Sequence, residues 1–197
     1  MQVKKQPMGV YQTNCYIASI DGKDFIIDPG VNATEWVIKN VTNPVAILNT
    51  HGHFDHVWSN AELQKKLKVP LYTPEGDVML LSESSWMPDL PPSTPDVEVK
   101  PNEVFDFDGV KVHFHHFPGH CPGCSMIEIE DVIFSGDFIF KRSIGRTDFP
   151  YSSPDDMKKS LQRFKTLEFD KTLYPGHGNV TSIKEEQLYT DYWINSL

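Results

Sequence analysis

The sequence predicts an α/β protein with a four-layer αββα sandwich, that is, two mainly β layers covered by helices. Strand-like runs near the N-terminus pair first as a hairpin, and later runs alternate with helical stretches. The same order recurs in the second half of the chain. With 197 residues the chain is long enough to bury a sizeable core, and we expect one domain spanning residues 1–197.

In the first half, strand-like runs at residues 14–20 and 23–28 flank Asp21-Gly22, a dipeptide typical of two-residue hairpin turns. A short helix is predicted at residues 33–39, and an apolar strand is predicted at residues 45–49. The first half is therefore expected to pass from a hairpin to alternating strands and helices.

A second helix and a long loop are predicted beyond residue 56. The apolar residues Val57, Ala61 and Leu67, with Trp58 nearby, indicate a helix that runs through about Lys66. Residues 82–95 contain four prolines, which predict a loop. Many loops of this length act as lids or binding loops, and a plain solvent-exposed crossover is the alternative.

The second half begins with more strands and ends with helices. Asp108-Gly109 marks another hairpin. Ser153 is placed to cap a helix that has Pro154 at its first position, and Ser182 and Glu185 have capping-box spacing before a closing helix. The helix capped by Ser153 is expected to bury one face, formed by Met157, Leu161, Phe164 and Leu167. The strands of this half are predicted at residues 104–107, 110–117, 126–129, 132–134 and 172–174.

Charge and composition argue against several classes of function. The net charge of −9 disfavours general affinity for nucleic acid, which requires a basic surface. The sequence shows neither an apolar run long enough to span a membrane nor a signal-peptide pattern. Three cysteines, an odd number, fit a reducing compartment better than a disulfide framework. We therefore expect a cytoplasmic protein without a membrane or nucleic-acid partner.

One short segment carries most of the chemical information. Thr50-His51-Gly52-His53-Phe54-Asp55-His56 follows an apolar strand-like run and places three imidazoles and a carboxylate within six consecutive residues. Neutral imidazole and carboxylate are ligands of borderline divalent metals. Packing does not explain this density, because buried polar groups without hydrogen bonds are costly. The segment therefore predicts metal binding.

Three further polar residues follow strand-like runs and arrive with glycine. They are His120 in Pro118-Gly119-His120, Asp137 in Ser135-Gly136-Asp137 and His177 in Pro175-Gly176-His177-Gly178. Each of them alone is better explained as a polar residue that satisfies a turn. If these strand ends share one edge of the sandwich with the histidine segment, seven nitrogen and oxygen ligands converge, which suffices for two metals.

Three histidines are left over from this set. His113, His115 and His116 lie in an alternating strand-like run. We expect them to be surface or core-edge histidines rather than ligands.

The ordered motifs resemble those of the metallo-β-lactamase-fold hydrolase superfamily, from Asn14-Cys15-Tyr16 to His177. The stretch Ser143-Ile144-Gly145-Arg146-Thr147-Asp148-Phe149-Pro150 is similar to the glyoxalase II-like branch, which hydrolyses acylated glutathione thioesters. The resemblance implies two divalent metal ions, usually zinc, with iron and manganese as alternatives in this branch. It implies one metal bound by His51, His53 and His120, a second bound by Asp55, His56 and His177, and Asp137 bridging the two.

For the reaction, the resemblance implies hydrolysis of a thioester such as hydroxyacylglutathione by a metal-bridged hydroxide, since bound metals lower the pKa of water to about 7. Asp55 is the expected proton acceptor. Arg146 and Lys141 are candidates for contacts with an anionic substrate, and Asp148 is a candidate for orienting a metal-bound histidine. The competing interpretations are an Arg146–Asp148 pair that only braces its loop and a Lys141 that is only solvated.

Two features depart from the glyoxalase II pattern. Longer glyoxalase II enzymes add a C-terminal helical domain that helps to grip glutathione, whereas this sequence reaches Leu197 about one helix after His177. We expect no such domain here, which leaves a broader ester or lactone hydrolase open. Cys121 and Cys124 stand where relatives tend to have Thr and Ser, and we expect buried, inert thiols with a redox-active pair as the alternative.

Other classes of function also fit parts of the pattern. Persulfide dioxygenases share the fold and a similar Gly-Arg-Thr-Asp stretch, and they hold one iron through two histidines and an aspartate. A non-catalytic module that uses metal only for stability needs fewer ligands than the seven found here. A β-lactamase role is disfavoured, because the sequence shows no secretory signal.

Overall fold

The computed structural model describes residues 1–82 and 87–197. The chain forms two units, Met1–Lys100 and Pro101–Leu197. Each unit contains one six-stranded sheet. Each unit combines its mixed sheet with helices, as the α/β class requires. The predicted single domain stays a prediction.

The sheet of the first unit follows chain order from β1 to β6. Its strands are β1 (Gln2–Met8), β2 (Thr13–Ile20), β3 (Lys23–Ile27), β4 (Pro44–Leu48), β5 (Leu71–Pro74) and β6 (Val97–Val99). The first three are antiparallel, and β3 to β6 are parallel. The predicted hairpin at Asp21-Gly22 is confirmed, because both residues have positive φ, 48° and 73°, as this tight turn requires.

Helices connect the parallel strands of the first unit. They are α1 (Thr34–Asn40), α2 (Phe54–Val57) and α3 (Asn60–Leu67), followed by a 3₁₀ helix (Glu75–Leu81). Val37 of α1 and Leu63 of α3 pack in one cluster with Ile26 and Ile47, so these helices cover one face of the sheet. Cys15 lies in the same cluster, and complete burial raises the pKa of its thiol well above the usual value, which keeps it unreactive.

The sheet of the second unit has the order β14-β13-β10-β9-β8-β7. Its strands are β7 (Val104–Phe107), β8 (Val110–His116), β9 (Ser125–Ile129), β10 (Val132–Gly136), β13 (Thr172–Pro175) and β14 (Thr181–Ser182), and β11 (Ile139–Phe140) pairs separately with β12 (Ser143–Ile144). Only β10 and β13 pair in parallel among these described strands. The helix α4 (Pro154–Lys165) makes their crossover, and α5 (Ile183–Gln187) and α6 (Thr190–Ser196) follow.

Side-chain alternation along β8 separates its two faces. Val112 and Phe114 are buried, whereas His113 and His115 are half-buried on the opposite face. His116 is also half-buried, which confirms the expectation that these three histidines lie at the surface or core edge.

The α4 helix starts as predicted. The Ser153 side chain accepts a hydrogen bond from the backbone N–H of Asp156, and Pro154 occupies the first helical position. Met157, Leu161 and Phe164 of the predicted stripe are buried, and Leu167, beyond the helix, is half-buried.

Some elements differ from the sequence-based expectations. The helix predicted after the histidine segment is interrupted, because Ser59 donates its N–H to the carbonyl of Pro29 and its hydroxyl to the carbonyl of Gly30. Residues 87–95 form no helix or strand, in agreement with the loop predicted at 82–95, of which residues 83–86 lie outside the described residues. Within the described ranges, none of the helices has the length and apolar character needed to cross a membrane.

The cap of α4 gives a direct stability test. Ser153→Ala is expected to lower the free energy of unfolding by about 1 kcal/mol, because the Asp156 N–H loses its acceptor. Ser153→Asp keeps an acceptor at the cap and is expected to stay within about 0.5 kcal/mol of the parent. Urea unfolding of the three proteins measures both effects, and an equal loss in the two variants would contradict the capping role.

Candidate metal centre

In the first unit, Asp28 anchors the histidine segment. Asp28 follows β3 with a positive φ of 49°, and only 2% of the residue is exposed. Its Oδ1 accepts the backbone N–H of Thr50 at 2.8 Å, and its Oδ2 accepts the Thr50 hydroxyl at 2.6 Å. Oδ2 also lies 3.0 Å from Nδ1 of His56. One buried carboxylate therefore holds both ends of the segment.

These contacts determine which ring nitrogens carry protons. The Thr50 hydroxyl gives its only proton to Asp28, so at 3.0 Å from Nδ1 of His51 it must accept a proton from that nitrogen. Asp28 likewise accepts from Nδ1 of His56. In both rings Nε2 then carries the lone pair, which is the form that a divalent metal binds.

The remaining residues of the segment are held by other parts of the first unit. Asp77, fully buried in the 3₁₀ helix, accepts the backbone N–H of Gly52 at 3.0 Å. Thr13 donates its hydroxyl to Oδ2 of Asp55 at 2.6 Å. Gly30 must be glycine, because a Cβ there would lie 2.0 Å from the carbonyl oxygen of Asp55.

The four polar side chains of the segment converge. The rings of His51 and His53 have centroids 4.8 Å apart, and those of His51 and His56 are 4.1 Å apart. Nε2 of His56 lies 3.5 Å from Oδ2 of Asp55. All three imidazoles are buried, so the first unit alone presents a dense set of nitrogen and oxygen donors.

In the second unit, His120, Asp137 and His177 converge on one oxygen atom. Oδ2 of Asp137 lies 3.5 Å from Nε2 of His120 and 3.4 Å from Nε2 of His177. Nδ1 of His120 lies 2.8 Å from the carbonyl oxygen of Arg146, which again leaves the lone pair on Nε2. Gly145 must be glycine, because a Cβ there would lie 1.8 Å from the carbonyl oxygen of Asp137.

The spacing of these atoms fits metal ligands better than hydrogen bonds. The three separations between imidazole nitrogen and carboxylate oxygen are 3.4–3.5 Å, longer than the roughly 2.7–3.2 Å of a good N–H···O bond. Tetrahedral ligands bonded at about 2.0–2.1 Å lie roughly 3.3 Å apart. The donor sets of both units therefore have the chemistry and spacing that a zinc-like ion requires.

Arg146 and Asp148 pair with each other. Nε and Nη2 of Arg146 donate to the two carboxylate oxygens of Asp148 at 2.9 and 2.8 Å, and both side chains are mostly exposed. The hydrogen bonds with Arg146 lower the pKa of Asp148. The atom that orients His120 is thus the Arg146 carbonyl and not the Asp148 carboxylate. Lys141 is partly exposed, with Nζ 3.4 Å from Oε1 of Glu185.

Sequence reasoning missed the residues that support the donors. Asp28, Thr13 and Asp77 were not singled out, and Thr50 was noted only as part of its segment. The sequence Asp28-Pro29-Gly30 is typical of a turn that ends a strand, and this signal could have drawn attention to Asp28. Cys121 and Cys124 are buried, as expected, and neither forms a disulfide.

Comparison with known proteins identifies the family. A family model described as the metallo-β-lactamase superfamily matches residues 8–177. The chain belongs to the metallo-β-lactamase superfamily. Its α/β fold is accordingly the metallo-β-lactamase fold, as the motifs predicted.

Relatives in other organisms match almost the whole chain. An uncharacterized protein of Aquifex aeolicus is 33% identical, with 98% of this chain and 97% of that protein covered. Hydroxyacylglutathione hydrolase GloC of Haemophilus influenzae is 32% identical, with 95% of each covered.

Two solved structures are also similar to this chain. The crystal structure of BLEG-1, a B3 metallo-β-lactamase, has a TM-score of 0.87 at 27% identity, over 98% of this chain and 99% of that one. The structure of TTHA1623 in a di-iron-bound form has a TM-score of 0.80 at 30% identity, over 93% and 96%. The chain is thus a superfamily member with a full set of candidate metal donors.

The hydrogen bonds around Asp28 predict distinct behaviour of two histidines. In Thr50→Val, His51 loses the acceptor of its Nδ1 proton, so its Nδ1–H tautomer should no longer dominate. His56 keeps its direct contact with Asp28 and should keep its tautomer. The nitrogen NMR shifts of the imidazoles in metal-free protein report the tautomers of His51 and His56.

A matched control is Thr73→Val, because Thr73 is also fully buried but donates to Asn49. It should leave both histidines unchanged. Loss of the His56 tautomer in Thr50→Val would contradict the proposed role of Asp28.

Proposed function

We propose that this chain is a metal-dependent thioester hydrolase of the hydroxyacylglutathione type, with a dinuclear centre. The observation that carries the proposal is the pair of donor sets, in which 3.4–3.5 Å spacings and fixed imidazole tautomers match the requirements of metal ligands. The 32% identity with GloC over nearly the full length of both proteins supports the thioester substrate.

The proposed centre uses the seven residues expected from the motifs. His51, His53 and His120 would bind one metal, and Asp55, His56 and His177 would bind the other. Asp137 would bridge the two, in keeping with its single oxygen atom at similar distances from His120 and His177. Zinc is the proposed metal, and the di-iron form of TTHA1623 makes iron the concrete alternative.

When bound, the two metals would lower the pKa of a water molecule so that hydroxide is available for attack at neutral pH, and they would polarise the thioester carbonyl. Asp55 is proposed to take the proton that this water loses. Thr13 donates to Oδ2 of Asp55, so Oδ1 is the proposed site of protonation. A strong acid for the leaving group is unnecessary, because a thiolate is a stable leaving group.

Arg146 is proposed to contact the anionic end of the substrate. Its side chain is 65% exposed, and the carboxylate of Asp148 is equally accessible. A substrate carboxylate can therefore replace Asp148 as the partner of Arg146. Lys141, near Glu185, is proposed as a second basic contact. A cytoplasmic location is also proposed, supported by the reduced state of the buried thiols of Cys15, Cys121 and Cys124, which form no disulfide.

The metal ligands give the main test. His51→Ala and Asp137→Ala are expected to abolish hydrolysis of lactoylglutathione and to reduce bound metal, without unfolding the protein. Hydrolysis of the thioester and elemental analysis of the purified proteins measure both. Asp24→Asn is the matched control, because Asp24 is a buried carboxylate on β3 whose partners are Ser19, Thr42 and Asn43.

The same preparation separates the alternative activities. Oxygen uptake with glutathione persulfide and a single bound iron would favour a persulfide dioxygenase. Faster turnover of lactones or simple esters would favour a broader hydrolase, and turnover of a β-lactam would favour the activity of BLEG-1. Full thioesterase activity in a metal-depleted Asp137→Ala protein would refute the proposal.

The role of Arg146 is tested separately. Arg146→Ala should raise the KM for lactoylglutathione severalfold with little change in kcat, because the contact is remote from the reacting carbonyl. Lys159→Ala removes a comparable exposed ion pair, with Asp156, and should leave KM unchanged. An unchanged KM in Arg146→Ala would mean that the Arg146–Asp148 pair only braces its loop.

A further inference from the structure

The half-buried face of β8 and β9 in the second sheet carries another group of imidazole and carboxylate side chains. His113 and His115 are two residues apart on β8, so both point to the same face. Glu128 on β9 is the cross-strand partner of His113. None of these three residues belongs to the proposed dinuclear centre.

The three side chains are in close contact. The ring centroids of His113 and His115 are 3.7 Å apart, and Nε2 of His115 lies 2.6 Å from Oε2 of Glu128. Each residue offers one possible ligand atom, and these three atoms lie within 4.8 Å of one another. We propose that His113, His115 and Glu128 form an additional binding site for a single zinc-like divalent ion.

The chemistry of the donors matches such an ion. Two imidazoles and one carboxylate are a donor set of zinc sites that keep one position for a water molecule. Tetrahedral ligands lie roughly 3.3 Å apart, so His115 and Glu128 need to separate by less than 1 Å. The ion would take the place of the hydrogen bond between Nε2 of His115 and Oε2 of Glu128.

His113 is poorly explained by packing alone. Its Nε2 is buried and makes no hydrogen bond to any of the described residues. Burial, with a smaller contribution from His115, lowers the pKa of His113, so the ring is neutral and able to coordinate. A metal would satisfy this nitrogen.

Glu128 is held in place by Lys171. Nζ of Lys171 lies 2.7 Å from Oε1 of Glu128, which leaves Oε2 directed towards His115. Burial alone would raise the pKa of Glu128, but its hydrogen bonds with Lys171 and His115 outweigh burial and lower it, so the carboxylate is ionised. The ammonium group also repels a cation, so we expect weaker binding here than at the dinuclear centre.

The site is accessible from solvent. A surface pocket of about 450 Å³ adjoins it, lined by Val104, Gly109, Lys111, His113, Glu128 and Glu130. This pocket gives room for an incoming ion and for a water molecule as fourth ligand. Because the ligands come from β8 and β9, a bound ion would cross-link these neighbouring strands.

The number of bound ions tests the proposal. The protein with its dinuclear centre loaded is dialysed against increasing concentrations of Zn²⁺, and bound zinc is measured by elemental analysis. The parent should take up one further equivalent, whereas His113→Gln, His115→Gln and Glu128→Gln should each lose it and retain the tighter ions.

His116→Gln is the matched control. His116 is the next residue on the same strand, but its Nε2 contacts the carbonyl oxygen of Pro122 and it is not part of the cluster. This variant should keep the further equivalent. Equal zinc uptake in the parent and in His113→Gln, or loss of the same equivalent in His116→Gln, would overturn the proposal.

A measurement on the parent protein removes dependence on how the variants fold. During the zinc titration, the side-chain nitrogen NMR signals of His113 and His115 should shift together, while that of His116 stays in place. The added zinc should also raise the Tm of the parent, because it binds only the folded arrangement of β8 and β9. Unchanged His113 and His115 signals at saturating zinc would overturn the proposal.

Discussion

The contact between the Asp28 carboxylate and the histidine segment is the interaction on which the first half of the site depends. A buried carboxylate is stable only when its oxygens are hydrogen-bonded, and here both oxygens are used. The same bonds set the tautomers of His51 and His56. The cost of burying one charge is therefore offset by bonds that prepare two donor nitrogens.

In both units, main-chain geometry positions and orients the donor side chains. Asp28 turns the chain with a positive φ, which places its side chain beside Thr50, the second residue after β4. In the second unit a backbone carbonyl, that of Arg146, orients His120. Glycine stands where ligand loops approach other backbone, as at Gly30 and Gly145. Donor side chains thus project from turns that the sheets hold rigid.

Much of this could be predicted from the sequence because the relevant signals are local. The turns at Asp21-Gly22 and Asp108-Gly109 and the cap at Ser153 are defined by neighbouring residues, and all three are present in the structure. The strand β1 was missed, because this mostly exposed strand at the edge of its sheet lacks apolar alternation. The strand β5 was missed because Pro70 precedes it and Pro74 ends it, and proline usually argues against a strand inside a sheet.

The supporting residues could not be predicted for a different reason. Asp28 and Thr50 are 22 residues apart, and Thr13 and Asp55 are 42 apart, so only the sheet brings each pair together. Likewise, the break in the helix at Ser59 arises from bonds with the turn at Pro29 and Gly30, which no helical periodicity can reveal. His113 and His115 gain their significance only from the register with Glu128.

The parallel pairing of β10 and β13 bears on how this chain can change over evolution. Asp137 follows β10 and His177 follows β13, and the N–H of Gly176 donates to the carbonyl of Gly136 at 2.8 Å. The hydrogen bond between Gly176 and Gly136 therefore sets the distance between the side chains of Asp137 and His177, and the residues between β10 and β13 do not. The solvent-facing surface of α4 can consequently diverge in sequence without disturbing the positions of Asp137 and His177.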